Sequence, residues 1–173
     1  MTAEPLTALD DECITDGTST ELIQLEQAAA VRRAELADDW PSAAQVSRTM
    51  GPTARETGGH ASELRRDGAL LGVYVPVPGG SWRFPCWQFR SDGQPVEYLT
   101  DILHVLHNNS PFLDGQRRTT GWGEVEWFIS RHALLDDKTP AEVLATGPKR
   151  VLEAARTEFG ENVENSCGAL GLR

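Results

Sequence analysis

The sequence predicts a mainly α protein with a small β-hairpin, arranged as a winged-helix-like N-terminal unit followed by a small helical bundle. Three observations predict it. Apolar residues recur at helical spacing in several short segments, most of them opened by a Ser/Thr cap or a proline and closed by a glycine. One Pro-Gly-Gly turn, Pro78-Gly79-Gly80, separates two β-favouring runs. A second turn cluster, Asp92-Gly93-Gln94-Pro95, divides that hairpin from the remaining helices.

Residues 1–17 hold Pro5, Gly17 and many acids without periodicity, and read as a flexible acidic tail. Thr18 and Glu21 form a capping-box pattern ahead of Leu22, Leu25, Ala29 and Leu36, so residues 18–39 read as an N-terminal helix, from about Ser19 to Ala37. Its alanine run permits close approach to another helix. Residues 40–93 form the helix-turn-helix and wing-like unit. Ser42 and Gln45 cap a short helix ending near Met50-Gly51, Pro52 starts a brief segment, and His60 to Asp67 is a third helix stopped by Gly68. Leu70–Val77 and Trp82–Phe89 are the hairpin strands, with Pro76 and Pro85 confining the ribbon to an edge.

Residues 94–160 form the bundle. Leu99, Ile102, Leu103 and Leu106 mark one face of a helix over 96–109, and Val125, Phe128 and Ile129 mark another over 122–130. Thr139-Pro140-Ala141-Glu142 combines an N-cap, a proline at N1 and a capping-box acid in a helix that ends at Gly147. Pro148 opens the last helix, whose face is Val151, Leu152, Ala155 and Phe159 and whose stop is Gly160. Residues 161–173 read as a flexible C-terminal tail.

Charge narrows the partners. The net charge of −10 is uneven: residues 1–39 carry ten acids against Arg32 and Arg33, whereas residues 40–93 carry six arginines against four acids. An acidic chain is a poor non-specific DNA binder, because phosphate contacts dominate that affinity. Any nucleic-acid contact therefore belongs in 40–93. There, helices followed by a ribbon match a DNA-binding order, in which a helix enters the major groove and the wing lies over the backbone. The candidate DNA contacts are Arg55, His60, Ser62, Arg65, Arg66 and Arg83. Glu63 and Asp67 on the same helix partly cancel that charge, the pattern of an ordinary solvated surface.

Other chemistry is sparse. Cys13, Cys86 and Cys167 are odd in number and far apart, which points to a reducing compartment, with the cytoplasm as the expectation. No secretory signal or membrane-spanning run is present, so no membrane partner is expected. Cys86 lies in an apolar run where burial would suppress its reactivity. Asp101, His104 and His107 offer metal-ligand types at i, i+3 and i+6. Residues i and i+6 diverge by about 120° on a helix, however, so only adjacent pairs could share an ion. There is no phosphate-cradling loop and no Gly-x-Ser-x-Gly. No catalytic residue, metal or cofactor is expected. Among the aromatics, Phe84, Phe89 and Phe128 are assigned to the core, and Trp122, between Gly121 and Gly123, to an exposed anchor.

Residues 121–156 carry a more specific pattern: Gly121-Trp122, Glu126-Trp127-Phe128, Ala133-Leu134-Leu135-Asp136-Asp137-Lys138, Thr139-Pro140-Ala141-Glu142-Val143-Leu144, Gly147, and Val151-Leu152-Glu153-Ala154-Ala155. In that order they resemble the C-terminal domain of the Xre/MbcA/ParS antitoxins, over about a third of the chain. Upstream, Glu63 to Gly72 and Phe84 to Phe89 are similar to proteins that couple a DNA-binding-like unit to this domain. The resemblance implies a non-enzymatic antitoxin that neutralises a protein toxin encoded nearby, commonly a RES-domain enzyme consuming NAD or transferring its ADP-ribose. It also implies repression of the shared operon by binding operator DNA, and a homodimer. Trp122, Trp127, Lys138 and Arg150 are the candidate toxin contacts. The chain departs from the family in its longer acidic N-terminus, and in Arg131-His132 and Asp136-Asp137 replacing the usual Asn-Pro and Gly-Gly turns. A stand-alone DNA-binding transcription regulator is the alternative function, and a small metal-dependent enzyme using Asp101, His104 and His107 a third.

Overall fold

The computed structural model describes residues 16–51, 59–76, 79–108, 112–113 and 118–160. Among them are seven α-helices and one two-stranded antiparallel sheet, so the protein is mainly α with a small hairpin. The chain divides into two units, residues 1–36 and 37–173.

The first unit contains α1 (Asp16–Ala37). It starts before Thr18, which therefore lies inside the helix and is not its cap. Along it Leu22, Ile23, Leu25, Val31 and Leu36 are all exposed.

In the second unit, α2 (Ala43–Thr49) begins at the expected capping box. The Ser42 hydroxyl accepts from Gln45 N at 3.4 Å, and Ser42 N donates to Gln45 Oε1 at 2.8 Å. These bonds satisfy amides that the first helical turn leaves without partners. Next comes α3 (Gly59–Arg66), which packs on α2. The expected segment after Pro52, and Arg55 within it, lie outside the described residues. Strands β1 (Val73–Val75) and β2 (Ser81–Arg83) pair with Val73 opposite Arg83. Gly79 and Gly80 hold φ of 88° and 56°, the left-handed backbone that the turn needs and that glycine adopts without a Cβ clash.

The second strand is shorter than predicted. Pro85 has no amide to donate, and Cys86–Gln88 turns into a 3-10 helix instead of continuing to Phe89. The Gln88 side chain supplies the missing pairing. Its Oε1 accepts from Leu71 N at 2.9 Å, and its Nε2 donates to Leu71 O at 2.8 Å and Pro85 O at 3.1 Å. Cys86 is exposed on this turn, which corrects its placement in a buried strand; the partial desolvation that remains and then the charge of Asp39 raise its pKa.

Helix α4 (Leu99–Asn108) starts later than the predicted residue 96, because Tyr98 takes a positive φ of 62° immediately before it. Then follow α5 (Trp122–Ile129), a 3-10 turn at Ala133–Leu135, α6 (Pro140–Leu144) and α7 (Pro148–Phe159). The Thr139–Glu142 capping box forms as expected, with Thr139 N donating to Glu142 Oε2 at 2.8 Å and Thr139 Oγ1 accepting from Glu142 N at 3.2 Å. Those Thr139 bonds, with Arg131 and Lys138 nearby, hold the Glu142 pKa below its ordinary value.

Helix α4 packs on α7, and the predicted faces are buried at Leu99, Ile102, Leu103 and Leu106 of one and Val151, Leu152 and Ala155 of the other, while Phe159 of the predicted α7 face is half-buried. Burying each large apolar side chain contributes about 1.5–3 kcal/mol. Phe84 and Phe128 are fully buried as expected, whereas Phe89 is half-buried.

The expected boundary at residues 93/94 does not separate two packed modules. Trp87 packs on Phe128 with ring centroids 4.4 Å apart, Trp40 stacks on Trp122 at 6.1 Å, and Tyr74 N donates to Thr120 O at 3.3 Å. The hairpin region and the helices after it share one core, because the aromatic rings of the hairpin segment are long enough to reach across the turn.

Candidate partner-binding surface

Two surfaces carry the residues singled out in the sequence. On the first, α3 and the hairpin, the arginines have mostly internal work. The Arg65 guanidinium lies 3.6 Å from the centroid of Trp82, its Nε is buried without a hydrogen-bond partner, and its stem runs against Gly72. Burial and then the charge of Arg66 lower its pKa. The planar cation thus glues α3 to the wing by a cation–π contact. Arg83 donates from Nη1 to Trp40 O at 3.2 Å, closing the start of the unit onto β2. Both were expected to face DNA, and both instead face the fold. His60 and Ser62 are half-buried, and Arg66 is exposed with its Nε donating to Ser62 O at 3.3 Å. Only Arg66 presents an exposed cation among the described candidates.

On the second surface, both tryptophans expected to meet a partner pack inward. Trp122 is half-buried and donates from its indole to Tyr74 O at 3.1 Å, besides stacking on Trp40. Trp127 is 4% exposed, its indole donating to Glu158 Oε2 at 2.8 Å. An indole is too large to leave in water when an adjacent ring and a carbonyl can accept it. Lys138 and Arg150 do remain on the surface, Arg150 paired with Asp136 at 2.8 Å.

What the sequence reading missed is how the loop between α5 and α6 presents its two leucines. Leu135 is fully buried and anchors it, while its neighbour Leu134 is 54% exposed. His132 N donates to Lys138 O at 3.1 Å and Asp137 N donates to His132 O at 3.1 Å, pinching the loop shut. The His132 ring holds the base of the loop, its Nε2 at 3.1 Å from Trp127 O and its Nδ1 at 3.4 Å from Glu158 Oε2. Asp136 and Asp137 both sit at φ 58°, in the left-handed region. The result is a closed knuckle that carries the exposed Leu134 in a loop whose Arg131 donates to Asp137 O at 3.4 Å and whose Asp136 pairs with Arg150. Beside it runs an open cleft of about 310 Å³ lined by Phe112, Glu126, Trp127, His132, Glu158 and Phe159.

Left-handed backbone is costly for residues with a Cβ, although aspartate tolerates it better than most. Asp137→Gly is expected to raise stability by about 0.5–1 kcal/mol, read as a rise of a few degrees in Tm. Asp136→Gly should gain less, because it also loses the Arg150 ion pair. A lower Tm for Asp137→Gly would show that its side chain contributes more than its backbone strain costs.

The metal-ligand candidates do not converge. Asp101 and His104 are exposed, while His107 turns to Glu124 with Nε2 3.1 Å from Oε1. Among the described residues no three His, Cys, Asp or Glu side chains gather around one point, and no helix is long and apolar enough to cross a membrane. Comparison of the chain with protein-family models, with curated proteins and with solved structures finds no match.

Proposed function

We propose that this chain is an antitoxin-like regulator of the cytoplasm that acts by docking, not by catalysis. Its α5–α7 face binds and neutralises a protein toxin encoded nearby, and its α2–α3–hairpin region is an optional operator contact. The observation that carries the reading is the backbone at Asp136 and Asp137. Both hold φ 58°, the conformation glycine takes at least cost, at the positions where the antitoxins that residues 121–156 resemble have a Gly-Gly turn. The departure in residue type is thus compatible with a glycine-type turn at these positions. An exposed leucine in a loop that carries charges of both signs is a surface suited to a protein partner, with a small apolar centre and polar neighbours in the chain. The partner class that the resemblance implies is a RES-domain enzyme acting on NAD.

Co-expression with the neighbouring reading frame tests this. The neighbour alone should arrest growth, and this chain should restore it. Leu134→Asp combined with Lys138→Glu should weaken toxin binding by about 10- to 100-fold and lose protection, with an unchanged circular-dichroism spectrum. A neighbour that is harmless alone, or equally lethal with and without this chain, removes the proposal.

A stand-alone DNA-binding regulator is the second reading, favoured by the exposed Arg66 on α3 between α2 and the hairpin. Gel shifts on the protein's own promoter separate the two. Arg66→Gln should abolish any shift and leave toxin neutralisation intact.

A further inference from the structure

We infer that the cleft beside the knuckle holds an arginine side chain of a protein partner, its guanidinium set between aromatic rings and the carboxylates of Glu126 and Glu158. That the cation belongs to a protein rests on the proposed docking role of the α5–α7 face; its chemistry follows from the cleft itself. Local sequence builds the walls. Gly123 has no side chain, and a Cβ there would stand 2.5 Å from the Phe112 ring, so the glycine lets that ring close against α5. Phe159 meets Phe112 with centroids 5.8 Å apart and Trp127 at 6.2 Å, at interplanar angles of 62° and 65°. The His132 ring lies 5.0 Å from Trp127. Rings at such steep angles stand as walls and do not stack flat across the opening. The space they leave, about 310 Å³, is at the low end of the range that encloses a small ligand group.

Charge selects the occupant. Glu126 and Glu158 both line the cleft, and no lysine or arginine does among the described residues. Glu158 accepts from the Trp127 indole at 2.8 Å and faces His132 Nδ1 at 3.4 Å, and both contacts fall on Oε2. Its Oε1 and the Glu126 carboxylate make no hydrogen bond or ion pair with the described residues. The arginines of the knuckle do not supply the missing cation: Arg131 turns to Asp137 O and Arg150 to Asp136. Aromatic surface attracts a cation through its quadrupole, and a carboxylate pairs with guanidinium by charge-assisted bonds. A ligand that meets both needs is a planar cation on an apolar stem. Arginine has that form. Its guanidinium stays charged, stacks on rings and carries five donors, whereas the compact ammonium of lysine holds its water more tightly.

An NMR titration of the full chain provides the test, at about 150 mM salt, where long-range attraction to an acidic protein is screened. The probe is N-acetyl-arginine N-methylamide, an arginine side chain without free termini. It should shift the Trp127 indole N–H resonance saturably, with Kd in the millimolar range. The citrulline analogue, of the same shape but neutral, should not. Glu126→Gln, at an exposed position, should weaken binding at least about five-fold with an unchanged circular-dichroism spectrum. Glu153→Gln removes the same charge from an exposed position of α7 outside the cleft lining and should leave binding unchanged. Absence of a saturable shift up to about 50 mM probe overturns the inference, as does equal binding of the citrulline analogue or equal weakening by Glu153→Gln. Tighter binding of the lysine analogue overturns the choice of arginine, and tighter binding of free arginine overturns the assignment to a protein partner. No toxin enters the titration, so its failure leaves the co-expression result standing, and a failed co-expression leaves the titration intact.

Discussion

Gln88→Leu is expected to destabilise the protein by about 3–5 kcal/mol, a large part of the 5–15 kcal/mol that holds an ordinary domain folded. The Gln88 side chain is fully buried. Its amide accepts from Leu71 N at 2.9 Å, donates to Leu71 O at 2.8 Å, and donates a third bond to Pro85 O at 3.1 Å. It serves as one residue of a strand that the chain does not otherwise build there. Leucine nearly conserves the volume, so little cavity results, but three backbone groups lose their partner, each at about 1–3 kcal/mol less whatever water recovers. Gln88→Glu is expected to be no better near neutral pH. It can still accept from Leu71 N, yet it turns a carboxylate oxygen toward two carbonyls where a donor is needed. Urea unfolding monitored by tryptophan fluorescence measures both, with a shifted midpoint and an unchanged slope. A loss below about 1 kcal/mol for Gln88→Leu would mean that the Leu71 backbone finds other partners.

That amide also marks what could be read from the sequence. Features that close within a few residues were legible. Ser42 with Gln45 and Thr139 with Glu142 are capping pairs three positions apart, and both form. Helical periodicity likewise predicted the faces of α4 and α7, since the turn angle alone decides which residues share a side. Long-range partners were not legible. Gln88 meets Leu71 seventeen positions away, and Trp122 meets Trp40 across 82. An arginine that stacks on a tryptophan is written with the same letter as one that reaches for phosphate. Arg65 and Arg83 therefore looked like a DNA-facing pair, and only the position of Trp82 and of the Trp40 carbonyl reveals that they hold the fold together. The knuckle at residues 131–138 was visible as a motif. Its exposed Leu134 was not, because adjacent leucines leave open which of the two points inward.

The second large effect is expected at His107, through the carboxylate beneath it. Glu124 is fully buried, with His107 Nε2 3.1 Å from Oε1 but not aligned for a hydrogen bond, and the Thr119 hydroxyl donating to Oε2 at 2.8 Å. Thr119 Oγ1 in turn accepts from Gly121 N at 2.9 Å. That chain of contacts fixes Gly121 at φ 82° at the head of α5, tight against the Gly72 carbonyl, so Glu124 sets the entry of the helix whose far end carries the knuckle. His107→Leu strips the buried carboxylate of its facing imidazole and replaces it with an apolar wall. The expected cost is about 2–3 kcal/mol, the penalty of a buried carboxyl group left without a polar neighbour on that side. Glu124→Gln removes the charge, and its amide oxygen can still accept from Thr119, so it should cost only about 1–2 kcal/mol. The double variant His107→Leu/Glu124→Gln should then be more stable than His107→Leu alone, since no charge remains to be desolvated. A double-mutant cycle in urea reads this as a coupling above about 1 kcal/mol. Simple additivity of the two changes would show that the imidazole and the carboxylate are neighbours without an energetic bond, and that α5 is held at its start by the Thr119–Gly121 turn alone.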